Sequence, residues 1–121
     1  MRWLPATVWM VIIVSLSLWP SGQFPRVNGP YVDKVAHLLM YGILAIAVLY
    51  GFSGQYDFQK RRWTYAALTI LPAAIFGTIM ELLQYFITSG RNFESQDILA
   101  NIIGSLAAAI IFANNYQSKK A

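Results

Sequence analysis

The chain has 121 residues, 57% of them hydrophobic and 12% charged, with a net charge of +4. A soluble domain carries roughly a quarter charged residues, so this balance argues against an ordinary soluble domain and for a membrane protein. The absence of cysteine removes disulfides, zinc–thiolate centres and thiol catalysis. The basic residues lie in short polar breaks and form no stripe among aromatics, which argues against a nucleic-acid partner.

Four apolar segments follow in chain order, at 3–19, 35–52, 63–87 and 98–112. Each is near the length that crosses a hydrocarbon core of roughly 30 Å, with the first and last at the short end. Backbone groups in lipid must be satisfied within their own segment, so the spans are predicted to be α-helices. The expected fold is therefore all-α, a polytopic transmembrane bundle of four helices forming one domain over 1–121. The first segment follows Arg2, as the apolar part of a secretory leader does. However, SLSLWPSG puts Leu, Trp and Pro where a cleavage site needs small residues, so the segment is read as a retained helix. Trp3, Trp19, Tyr31, Trp63 and Tyr116 stand at or near segment ends, where amphipathic rings favour the interface.

The breaks between segments carry the orientation signal. Residues 20–30 hold three prolines and two glycines and read as a turn-rich loop. Residues 53–62 end in KRR, and 88–96 contain Ser89-Gly90 and then Arg91. With the N-terminus inside, Arg2, Lys60, Arg61, Arg62, Lys119 and Lys120 face the cytoplasm, whereas Arg26, Lys34 and Arg91 face out. The positive-inside rule then places both termini in the cytoplasm.

In this orientation the polar residues fall in one layer. Asp33, His37 and Tyr41 are four apart and share a helical face, with Lys34 beside them. The third segment carries Glu81, Gln84 and Tyr85, and the fourth carries Asp97, Asn101 and Ser105, again four apart. At about 1.5 Å per residue, His37 and Asn101 lie about 6 Å below the outer ends of their helices, Glu81 about 10 Å, and Tyr41 and Ser105 about 12 Å. The inner halves carry almost no such groups. Ala73, Gly77 and Glu81 form one row, and Ala100, Gly104 and Ala108 another; rows of small residues let membrane helices approach. Glu81 is therefore expected to face the bundle interior, and Pro72 is a candidate kink below it.

An ionisable residue inside a span is by default a functional hypothesis. Glu81 and His37, with Asp33 one turn before the imidazole, form a candidate acid–base group. Arg91 and Lys34 suit an anion, with Tyr41, Gln84, Asp97 and Asn101 as further ligand-binding candidates. Plainer readings stand beside these: Glu81 clasps helices by pairing with Arg91, Lys34 or His37, Asp33 and Asp97 cap their helices, and Arg91 snorkels to the interface. Asp33, His37, Glu81 and Asp97 are residue types that surround divalent ions. No compact ligand spacing is present, though, and Arg91 and Lys34 oppose a cation, so no metal or cofactor is predicted. Ser95 and Ser105 lack an adjacent base and make poor nucleophiles.

Three motifs in order carry a resemblance: DKVAHLLMY from Asp33 to Tyr41, ELLQ from Glu81 to Gln84, and RNFESQDILANIIG from Arg91 to Gly104. Together they resemble the VanZ-like membrane proteins, named for a protein that lowers susceptibility to the glycopeptide antibiotic teicoplanin. The resemblance marks Asp33, Lys34, His37, Tyr41, Glu81, Gln84, Arg91, Asp97, Asn101 and Gly104 without assigning their roles. It implies a multi-pass protein of the bacterial inner or plasma membrane. The expected function is an outward-facing polar site that binds or acts on an anionic lipid-linked or cell-envelope component. The alternative is a non-catalytic module in which the polar residues hold the helices together. Beyond the lipid bilayer, the expected partners are that component and a second copy of the chain, since a bundle this small completes a full cavity as a homo-oligomer.

The topology is tested by reporter fusions at Lys120 and within residues 55–57. Both are expected to report cytoplasm, and an outward signal from either would move the polar layer to the opposite face.

Overall fold

The structure is a computed structural model that describes residues 1–18, 32–87 and 95–116, with the side chains of 32 and 33 outside that description. Four helices follow one another: α1 (Leu4–Ser17), α2 (Val32–Phe52), α3 (Phe58–Ile87) and α4 (Ser95–Asn115). At about 1.5 Å per residue, α2 and α4 reach about 31 Å and α3 about 45 Å, enough to cross the apolar core. The 14 residues of α1 give about 21 Å, so it is shorter than the span expected over 3–19. Among the described residues there are thus three helices of membrane-spanning length and composition and one shorter apolar helix.

The other spans are longer than their apolar cores because polar residues at the ends continue the helices. α3 begins at Phe58 and carries the KRR run within its first turns. It continues through Pro72, and its non-helical residue is Arg61 (φ −112°, ψ 24°), close to the start and remote from the proline.

Contacts along α2 set the arrangement. At one end of the bundle Trp3 packs edge-on against Phe52 with ring centroids 5.0 Å apart, and the Arg2 guanidinium donates to Ser53 Oγ at 3.0 Å. Further along, the Trp9 indole N–H donates to the Met40 carbonyl at 2.8 Å, so α1 runs antiparallel to α2. Phe58 meets Tyr116 at the first end too, with centroids 4.8 Å apart. Both described chain ends and the KRR run therefore share one end of the bundle. Leu49, Phe58, Ala66, Ala109 and Ala113 are buried there among aromatic rings.

α2 and α4 run parallel and pack more closely than any other pair. The buried face of α4 is Ala100, Asn101, Gly104, Ser105, Ala108, Ala109 and Ala113, nearly all small. Gly104 lies directly against the Leu38 backbone, where a Cβ would overlap the carbonyl oxygen. Gly42 faces Gly104 and Ala108 in turn, at 3.4 Å and 3.7 Å from its would-be Cβ. On α3 the buried face is Ala66, Thr69, Ala73, Gly77, Met80, Glu81 and Gln84, which includes the small-residue row expected from the sequence.

The seam predicts its own weak point. Gly104→Ala should destabilise the bundle by about 1–3 kcal/mol, the usual cost of overpacking, because a backbone carbonyl cannot rotate away as a side-chain tip can. Gly42→Ala should cost less. Equilibrium unfolding in mixed micelles measures both.

Candidate functional site

The parallel register of α2 and α4 aligns residues 63 or 64 apart in sequence, like rungs. At the first rung the Lys34 ammonium bonds Asp97 Oδ1 at 2.5 Å. At the second, His37 Nδ1 lies 3.1 Å from Asn101 Oδ1. At the third, the Ser105 hydroxyl donates to its own helix at the Asn101 carbonyl (2.9 Å) and lies 3.4 Å from the Tyr41 carbonyl. An amide oxygen only accepts, so the His37–Asn101 bond places a proton on Nδ1 and turns Nε2 toward Asp97, whose Oδ2 is 3.6 Å away. Lys34 sits at the rim with its side chain 21% exposed, while Asp97 is buried.

α3 closes the site from the other side. Glu81 is 2% exposed, and ligand atoms of His37, Glu81 and Asp97 all lie within 4.8 Å of one another. Gly77, one turn earlier on α3, makes room for this convergence. A Cβ there would lie 2.7 Å from Asn101 Nδ2 and 3.2 Å from the Tyr41 ring, so a side chain would displace both. Tyr41 is itself buried, packed near Phe76 with ring centroids 6.0 Å apart. Gln84 is buried too, and its side chain makes no hydrogen bond among the described residues. Tyr85 is half-exposed.

Of the residues singled out from the sequence, the structure gathers Lys34, His37, Tyr41, Glu81, Asp97 and Asn101 around one buried point, with Gln84 buried one turn beyond Glu81. The side chain of Asp33 and all of Arg91 lie outside the described residues. One feature escaped the sequence. Lys34 pairs with Asp97, a residue on another helix that stands in the first turn of α4, where a carboxylate also favours the helix dipole. Ser105, placed in the polar layer by the sequence, reaches the α2–α4 seam with its hydroxyl. Its four-residue step from Asn101 was the available signal for that placement.

The arrangement defines a class, that of multi-pass helical membrane proteins with ionisable groups buried between helices at one end. Comparison with known proteins gives the family. The profile described as VanZ/LLP1 matches residues 2–115, and the chain belongs to that family. It is similar to the uncharacterized protein C11E3.10 of Schizosaccharomyces pombe, with 33% identity over 103 residues. That match covers 84% of this chain and 57% of the yeast protein, so the chain spans just over half the length of this relative. No solved structure matches the chain.

The Lys34–Asp97 pair is tested by substitution. Lys34→Met leaves a buried carboxylate without its ammonium partner and should cost about 3 kcal/mol, whereas the double variant Lys34→Met/Asp97→Leu should recover most of it. Unfolding of the single and double variants, combined as a thermodynamic cycle, checks the coupling.

Proposed function

We propose that the site receives the anionic head group of a lipid or lipid-linked cell-envelope component. It would open on the outer face of the membrane, with both chain ends in the cytoplasm. Lys34 at the rim engages the anion and Arg91 assists, while Glu81 and His37 exchange a proton within the buried cluster. The observation that carries this reading is the convergence of ionisable groups from three helices at one end of the bundle, opposite an end packed with aromatic rings. Three further points support it. The N-termini of α2 and α4 meet at this end, and helix N-termini attract anions. A buried amide with no hydrogen-bond partner among the described residues, as at Gln84, marks a place that a polar ligand can fill. Polar contacts between membrane helices contribute only about 0.6–2 kcal/mol each, a small return for burying so many ionisable groups.

A second reading has its own support. The Lys34–Asp97 and His37–Asn101 contacts both join α2 to α4, as a clasp would. The resemblance to VanZ-like proteins adds a finer reading, that occupancy of the site by an envelope component changes susceptibility to teicoplanin.

Glu81→Gln separates these readings, because it nearly preserves shape and keeps one acceptor oxygen while removing the charge. Head-group chemistry predicts a folded variant of near-native stability that still retains anionic lipid, measured by mass spectrometry of the purified protein, but has lost function in the cell. Teicoplanin susceptibility of an expressing strain is one such readout. Full function in Glu81→Gln would rule out the proton-exchange role. Co-purified lipid with no anionic enrichment over the host membrane would rule out head-group binding.

A further inference from the structure

The sequence argued against a metal on two grounds, the lack of a short ligand motif and the opposing charges of Arg91 and Lys34. The first does not reach ligands drawn from three separate helices. Against the second, the site holds two carboxylates, one of them already paired with Lys34. The geometry points to a divalent-cation site made by His37 Nε2, a Glu81 carboxylate oxygen and Asp97 Oδ2, of the class that zinc fills. His37 Nε2 and Asp97 Oδ2 stand 3.6 Å apart, beyond the usual range of a hydrogen bond. Two donors each 2.0–2.1 Å from a tetrahedral zinc ion stand about 3.4 Å apart, so the observed spacing fits one edge of such a site within a few tenths of an ångström. Glu81 brings a third ligand atom into the same 4.8 Å cluster, and all three residues are buried.

The partners of these ligands add an independent observation. Metal-binding histidines donate their other ring N–H to a fixed acceptor, which sets the tautomer and aims the ligating nitrogen. His37 does this through Nδ1 to Asn101 Oδ1 at 3.1 Å. Lys34 takes Asp97 Oδ1 and leaves Oδ2 on the His37 side, which orients the carboxylate as an outer-shell partner does. One imidazole and two carboxylates match zinc better than calcium or magnesium, which take mostly or wholly oxygen ligands in larger number. Three protein ligands leave a tetrahedral ion one position for water or a phosphate oxygen. The cation site uses the residues of the proposed head-group site but does not depend on head-group binding; with an ion bound, His37 and Glu81 hold the metal instead of exchanging a proton.

His37 is the only histidine in the chain, so the intact protein supplies its own probe. The chain, free of any affinity tag, is stripped with a chelator in detergent, labelled with 15N in the imidazole and titrated with zinc chloride. The expected result is one zinc per chain by elemental analysis, with the Nε2 resonance displaced and Nδ1 still protonated. Asn101→Ala should weaken zinc binding about 10–100-fold, as loss of an outer-shell acceptor does elsewhere. Asp97→Asn should abolish stoichiometric binding, with circular dichroism confirming that the helices persist. An Nε2 resonance unmoved by equimolar zinc in the unsubstituted chain would overturn the inference, as would zinc held equally well by Asp97→Asn. Anionic vesicles binding the chain while chelator is present would leave the head-group reading standing without the metal, so the two can fail separately.

Discussion

The site depends on the close parallel approach of α2 and α4. Gly104 presses backbone to backbone against Leu38, and the helices can come this near only because α4 offers almost nothing larger than alanine on its buried face. That distance brings short side chains into hydrogen-bonding range across the seam. A bulkier seam would part His37 from Asn101 and leave Lys34 reaching for a carboxylate beyond it. Close packing of small residues is also the main attractive force available in lipid, where burial of apolar surface gives little. The same contact therefore holds the bundle and builds the site.

The third helix makes the cluster more than a pair of cross-links. Gly77 on α3 gives up its side chain where Asn101 and Tyr41 need space, and one turn later Glu81 enters the gap. Buried charge far from water is costly, and partners must offset it. Here the Asp97 carboxylate is met by Lys34 and His37, near the N-terminal ends of α2 and α4, and Glu81 lies in the same buried cluster. The opposite end solves a different problem, with the rings of Tyr65, Phe112 and Tyr116 packed around Phe58. The two ends of one small bundle are thus chemically unlike.

Much of this was legible in the sequence, for reasons that can be named. Hydrophobic length alone located the helices, since a lipid environment leaves little choice of backbone structure. The four-residue steps from His37 to Tyr41 and from Asn101 to Ser105 were enough to place these groups on shared faces. Helix ends were less legible: the α3 start at Phe58 lies beyond the apolar run, because helical geometry tolerates lysine and arginine that hydropathy rejects. The length of α1 was overestimated because Trp3 and the residues after Ser17 are as apolar as its helical core. The pairing of Lys34 with Asp97 could not be read at all, since it depends on the register between two helices separated by a third. The same register brings His37, Glu81 and Asp97 together, and no linear spacing encodes it.

The central claim is that one end of the bundle is a ligand site and not merely a clasp. The most direct measurement is an experimental structure of the chain grown in a lipid mesophase doped with an anionic phospholipid. The account predicts a head-group phosphate against the Lys34 ammonium, with His37, Glu81 and Asp97 gathered beneath it. A Lys34–Asp97 pair sealed under acyl chains, with the anionic head groups bound elsewhere, would contradict it.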